Sequence, residues 1–202
     1  MCQVLGRARK NIRMVGYKVN PKFVVYCGPM FSSKSTRLIA DVERYNLQGR
    51  SVVCFKPKMD ERYQPTKITT HNGASIEAQL VVTGEDIVDI IDNLALKPDV
   101  VAVDEAFMIE NSSTALVKLF KRGIHIVVSS IDLSASCTPF TEVAAMLPFA
   151  TNVVKCTAVC TSCGTDAPYT KRKFQNEDDE IVVGGSELYE PSCFEHHIYF
   201  QN

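Results

Sequence analysis

Phe23-Val24-Val25-Tyr26-Cys27-Gly28-Pro29-Met30-Phe31-Ser32-Ser33-Lys34-Ser35-Thr36 is the stretch on which the reading of the whole chain turns. Its first five residues are an apolar run of strand-forming types, suited to a buried strand. Beyond it, Leu38, Val42 and Tyr45 recur at helical spacing as far as a stop at Gly49. Strand, loop and helix in that order predict a phosphate-binding loop, in which backbone N–H groups and the helix N-terminus converge on an anion. Lys34 is then placed to reach the outer phosphates, and the Ser35 hydroxyl to take a position on Mg²⁺. Ser33 stands where the usual pattern has glycine, and its Cβ is expected to crowd bound phosphates.

Downstream, Ser51–Phe55 predicts a second buried strand ended by Pro57, followed by a charged turn, Asp60-Glu61-Arg62-Tyr63. Ile68 to His71 suggests a short extended piece. Thr83-Gly84-Glu85-Asp86 has the character of a helix N-cap with acids in the first turn. Ile87, Ile90, Ile91 and Leu94 continue it at one face, with Pro98 as the stop. Val100–Val103 then runs into Asp104-Glu105, an apolar strand ending in acids one α/β unit after a phosphate loop. That is where Mg²⁺ is usually held, with Asp104 orienting its water shell and Glu105 reaching toward substrate or water. A helix over residues 114–122, closed by Gly123, precedes the strand-like run Ile124–Val128 and Asp132. Four β-like runs separated by helices predict an α/β fold whose parallel sheet is covered on both faces. Ligands of such sheets sit at the carboxyl ends of the strands, where Gly28, Asp104 and Asp132 fall.

From about Val153 the α/β alternation gives way to short strand-like pieces and two closely spaced metal-type pairs. Cys160-x-x-Cys163 and Cys193-x-x-His196, about 30 residues apart, suit two knuckles clamping one Zn²⁺, with His197 as an alternative fourth ligand. Cys2, Cys27, Cys54, Cys137 and Cys156 have no such partners and are expected to be buried small side chains. The expected organisation is a basic tail over 1–22, a nucleotide-binding α/β domain over 23–152, and a zinc-binding domain over 153–202. The tail carries Arg7, Arg9, Lys10, Arg13, Lys18 and Lys22 and no acid, which fits a solvated segment or a short transit peptide.

Composition narrows the function classes. The 202 residues are 46% hydrophobic, carry a net charge of -1 and include no tryptophan. A DNA-handling ATPase with a zinc ribbon calls for a basic stripe or an aromatic stacking platform, so no nucleic-acid partner is expected. No apolar segment approaches a membrane span, so no membrane partner is expected either. Eight cysteines without a preceding signal peptide point to a reducing, cytoplasmic compartment with free thiols and a metal site.

The combination resembles the type II thymidine kinase family. The resemblance rests on Gly28-Pro29-Met30-Phe31-Ser32-x-Lys34-Ser35-Thr36, Asp60-x-Arg62-Tyr63, Asp104-Glu105 and Thr157-Ala158-Val159-Cys160-x-x-Cys163. It continues through Tyr169-Thr170-Lys171-Arg172, Gly184-Gly185-x-x-x-Tyr189 and the final Cys193-x-x-His196. It implies a RecA-like P-loop sheet with a small zinc-binding appendage, usually assembled as a homotetramer, using ATP and Mg²⁺. The implied reaction carries the ATP γ-phosphate to the 5′-hydroxyl of thymidine or deoxyuridine. Glu105 is the implied general base, Lys34 the phosphate clamp, and Arg62 a neighbour of the reacting groups. Residues 28–36 and Asp104 are implied to hold the nucleotide and its metal. Met30, Met108, Ile131, Phe140, Thr170, Val182, Val183, Gly184, Gly185 and Tyr189 are implied to hold the nucleoside, partly through main-chain groups of a closing loop. Ala106-Phe107-Met108-Ile109 and Leu133-Ser134-Ala135-Ser136-Cys137-Thr138 depart from the family pattern on one wall of the base pocket. With Ser33, they motivate the alternative of a weakened or inactive nucleotide-binding relative.

Overall fold

The computed structural model describes residues 20–60, 66–70, 73–174 and 184–201. Most of the basic tail, Arg62 and Tyr63, His71, and Val182 and Val183 lie outside the described residues. The chain begins with β1 (Phe23–Cys27), α1 (Lys34–Leu47) and β2 (Val52–Pro57), then a small antiparallel hairpin of β3 (Lys67–Thr69) and β4 (Ser75–Glu77). Next come β5 (Gln79–Val81), α2 (Gly84–Asn93), β6 (Val100–Asp104), α3 (Ser112–Lys121), β7 (His125–Ser130), α4 (Thr141–Met146) and β8 (Asn152–Lys155). Beyond β8, the short antiparallel pair β9 (Ala158–Val159) and β10 (Asp166–Ala167) precedes β11 (Tyr169–Arg172), which pairs with β12 (Tyr189–Ser192).

Six strands form one sheet in the order β5-β2-β6-β7-β1-β8, and every pairing is parallel. Its two faces follow from the two-residue period of a strand. Val101 and Val103 of β6 and Ile126 and Val128 of β7 pack with Ile87 and Ile91 of α2 and Leu116 and Leu119 of α3. The intervening Val100, Ala102 and Val127 pack on the other face against Leu38, Ile39, Val42 and Tyr45 of α1. Because both faces are covered, the central strands read as continuous apolar runs rather than alternating ones.

The sequence reading found four of the six strands. β5 has three residues, and β8 has largely exposed side chains, so neither carries a hydrophobic signal of its own. β8 is held by register with β1, Val24 to Asn152 through Cys27 to Lys155, and it straddles the boundary expected after residue 152. α2 begins as expected: Thr83 Oγ1 accepts from the Asp86 amide, and the Asp86 carboxylate accepts from the Thr83 amide. It stops at Asn93 rather than at Pro98, with Leu94 already extended. Cys27, Cys54 and Cys156 are buried as expected, whereas Cys137 is half-exposed in a left-handed loop residue beside His197.

Candidate active site and metal centre

The loop between β1 and α1 is shaped by three unusual backbone positions. Gly28 has φ +143°, and a Cβ built on it would lie 2.3 Å from the Cys156 carbonyl oxygen, so only glycine fits under the connection that follows β8. Phe31 and Ser33 both adopt the left-handed conformation, at φ 64° and 60°. Such turns between right-handed residues aim successive N–H groups at one concavity, the geometry of an anion nest. The Ser33 side chain is exposed at the helix N-terminus. Inside the loop, Ser32 Oγ donates to the Pro29 carbonyl at 2.8 Å, and Lys34 Nζ donates to the same oxygen at 2.6 Å. Lys34 is buried; desolvation lowers its pKa, and the Glu105 and Asp104 carboxylates oppose that shift.

β6 delivers the acids. Asp104 accepts from Ser35 Oγ at 3.0 and 3.3 Å through its two oxygens, and from Ser129 Oγ of the neighbouring strand. Burial, and next the Glu105 charge, push the Asp104 carboxyl up to about 6, while the two serine hydroxyls pull it back. The next residue, Glu105, takes φ 49° and ψ 46°. That turn costs roughly 1–2 kcal/mol for a residue other than glycine, and it takes Glu105 out of the strand's alternation. Lys34, Ser35, Asp104 and Glu105 thereby line one cavity of about 420 Å³. Two ligands of an octahedral Mg²⁺ at about 2.1 Å sit about 3 Å apart. The 3.0 Å between Ser35 Oγ and an Asp104 oxygen matches that separation.

The C-terminal region closes on the same cavity. Thr170 Oγ1 in β11 accepts from the Met30 amide at 3.0 Å, which fastens this region to the loop. β11 and β12 pair antiparallel, so the chain leaves at Arg172 and returns at Tyr189. Gly185 lines the cavity together with Ser186 and Glu187, and its carbonyl accepts from the amides of Leu188 and Tyr189 at 3.2 and 3.1 Å. The expected apolar nucleoside residues also meet. Met30, Ile131 and Tyr189 form one buried cluster with Phe107, flanked by half-buried Met108 and Phe140. Of these, Met30 lines the cavity, while Met108, Ile131, Phe140 and Tyr189 pack with it in the cluster and are not part of the cavity lining. Thr170 is likewise a buried anchor rather than part of the cavity wall.

Cys160, Cys163, Cys193 and His196 place one donor atom each within 4.8 Å of all the others. Cys193 Sγ lies 3.2 Å from His196 Nδ1 and 3.7 Å from Cys163 Sγ. Tetrahedral Zn²⁺ with two such knuckles needs ligand separations of about 3.3–3.8 Å, so the donor set fits that ion with modest tightening. Burial opposes ionisation of Cys160, but the amides of Cys193, Ser162 and Cys163 outweigh it and bring the thiol down to about 6. His197 is directed elsewhere: it is fully buried, with Nε2 3.0 Å from the Thr170 carbonyl oxygen. The fourth donor is therefore His196.

Several cavity residues escaped the sequence reading. Lys56, at the end of β2, is buried and pairs with Asp60 at 3.5 Å. Ile68, Thr69 and Thr70 of the hairpin complete that wall, and Ser129 supports Asp104 from β7. The available signal for Lys56 was a charge near the end of an otherwise apolar strand, four residues before an acid.

The thymidine kinase family model matches residues 22–197 of the chain. The chain is 34% identical over 180 residues to a thymidine kinase of Pyrobaculum aerophilum, covering 87% of this chain and 97% of that protein. To a thymidine kinase of Thermococcus kodakarensis it is 37% identical over 182 residues, covering 86% of this chain and 92% of that protein.

Proposed function

The chain belongs to the thymidine kinase family, and from that premise we propose that it moves the ATP γ-phosphate to the 5′-hydroxyl of thymidine or deoxyuridine with Glu105 as general base. The observation that carries the reading is the convergence of Lys34, Ser35, Asp104 and Glu105 on one cavity whose lining also includes Gly185. The Glu105 carboxylate takes the hydroxyl proton as the 5′-oxygen attacks phosphorus and ADP leaves. Phosphoryl transfer is chiefly a matter of positioning and charge stabilisation. The Lys34 ammonium and the loop amides would supply that stabilisation at the non-bridging oxygens. Ser35 and Asp104 would hold Mg²⁺, which when bound neutralises phosphate charge. Arg62 is assigned to the neighbourhood of the reacting groups, and the stretch from Tyr169 to Tyr189 to covering the nucleoside, its amides and carbonyls around Val182 to Gly185 reading the base edge.

Zn²⁺ on Cys160, Cys163, Cys193 and His196 would tie the chain before β11 to the chain after β12, so the covering segment hangs from a fixed stem. This setting requires unoxidised thiols and suits the cytoplasm, and the assembly we assign is the family's homotetramer. Among the described residues, no feature of the site favours an inactive relative, since Lys34, Ser35, Asp104 and Glu105 share the cavity and Ser33 is exposed.

The test is phosphate transfer from ATP–Mg²⁺ to thymidine, deoxyuridine and deoxycytidine, with Glu105→Gln alongside. Wild type is expected to use thymidine, and the variant to lose on the order of 10²–10⁴-fold in kcat while retaining ATP binding. A variant turning over near the wild-type rate removes Glu105 from the base role.

A further inference from the structure

Lys56 is the least expected residue of the cavity. Its side chain is 2% exposed, and it is the penultimate residue of β2, next to the fully buried Phe55. An ammonium loses its hydration in such a place, and an apolar side chain of similar volume is often as stable there or more so. Burial alone therefore gives no reason for a lysine at this point of the sheet.

Its contacts give one. Lys56 Nζ lies 3.5 Å from an Asp60 carboxylate oxygen and donates to the Lys67 carbonyl at 3.4 Å. Asp60 and Lys67 belong to the two chain ends that flank residues 61–65, the segment containing Arg62. One buried cation thus ties both stems of that segment to the end of β2. The downstream stem is further set by the Ala78 amide, which donates to the Thr66 carbonyl at 2.8 Å, and by the β3–β4 register. Asp60 and Ile68–Thr70 line the same cavity as Lys34, Ser35 and Glu105.

We propose that Lys56 is a positioning residue for phosphoryl transfer: it sets the wall formed by Asp60 and the β3 stem against Glu105, and with it the stems of the Arg62 segment. The inference rests on the kinase reading above. It assigns Lys56 to the chemical step rather than to nucleotide affinity, because the phosphate loop is built from α1 and β1 without it. Misplacement of catalytic groups by about 1 Å can cost about 100-fold in rate.

The experiment uses the full-length, zinc-loaded protein and compares Lys56→Met, Asp60→Asn and the double variant in kcat, KM for ATP and Tm. Kinetics are read well below the lowest Tm. Lys56→Met is expected to lose about 10- to 100-fold in kcat, with KM for ATP within about twofold of wild type. The double variant is expected to be no slower than the slower single one, because both changes break one tie. Should Lys56→Met fail to fold, the double variant, neutral at both partners, carries the same expected loss in kcat. A kcat within about twofold of wild type, whatever the Tm, overturns the proposal, as does a double variant slowed by the product of the single losses. Glu105→Gln in the same assay separates the two readings: an undiminished rate there removes the base assignment, while Lys56 is judged on its own kcat.

Discussion

The two ends of the parallel sheet solve their turns in different ways. At the amino end, the chain enters β2 and β7 through Gly49 and Gly123, at φ +74° and +90°, and the space a Cβ would occupy at either has no neighbour within 4 Å. At the carboxyl end, beside one positive-φ glycine, Gly28, the residues Phe31, Ser33, Glu105, Asn111 and Cys137 take the left-handed conformation without being glycine. Buried charge is divided as unevenly. Lys34, Lys56, Asp60, Asp104 and Glu105 are all buried at the carboxyl end. The amino end holds His125, packed beside Tyr45 and reached by Arg50, whose guanidinium lies 2.5 Å from His125 Nε2. Strained backbone and dehydrated charge each cost stability, and here they collect where the catalytic residues are assigned. The amino end is built from low-cost turns and a neutral imidazole, as a scaffold would be.

The largest test of this contrast is metal removal. The Cys/His cluster connects to the carboxyl end through Thr170 and Met30, and a structural zinc held by such a donor set would contribute roughly 10 kcal/mol or more. A strong chelator should therefore lower Tm by more than about 10 °C and abolish thymidine phosphorylation, with about one zinc released per chain. An unchanged Tm would detach the zinc cluster from the carboxyl end.

Next come the glycines. Gly28→Ala meets the Cys156 carbonyl at 2.3 Å and should cost on the order of 3 kcal/mol. Gly123→Ala, also at positive φ (+90°) but in open space, should cost about 1 kcal/mol. Urea unfolding of the two variants sharpens the comparison, and equal losses would break it.

His125 supplies a pH test. Burial, and then Arg50 and Lys22, lower its pKa below the ordinary histidine value. The unfolded chain therefore binds the proton first as pH falls below about 6.5. The stability from keeping His125 neutral is present above that pH and is lost on acidification. Replacing it in His125→Gln should flatten the decline in unfolding free energy as pH falls below about 6.5; a decline as steep as wild type assigns the acid sensitivity elsewhere.

The smallest effect is expected at Ser33. Glycine relieves the left-handed cost of about 1 kcal/mol but adds unfolded-state entropy of similar size. Ser33→Gly should thus change stability by less than about 1 kcal/mol. A large gain in nucleotide affinity would show that the serine Cβ crowds the phosphates after all.

The sequence by itself determined what depends on local spacing. The strand–loop–helix around Gly28–Ser35, the capped helix after Thr83, the acids ending β6 and each of the two metal knuckles are short local patterns, so period and spacing report them directly. The apolar grouping of Met30, Ile131 and Tyr189 was accessible through family resemblance rather than through any pattern in the residues. Only the tertiary structure decided the rest. β5 and β8 are too short or too exposed to announce themselves and exist through pairing with β2 and β1. Gly28 must be glycine because Cys156, 128 positions away, runs over it. Ser129 supports Asp104 because β7 lies beside β6, and Lys56 can tie Asp60 to Lys67 because the hairpin folds back against β2. These are contacts between elements: each partner looks ordinary in its own segment, and the chemistry arises only once the sheet sets their separation.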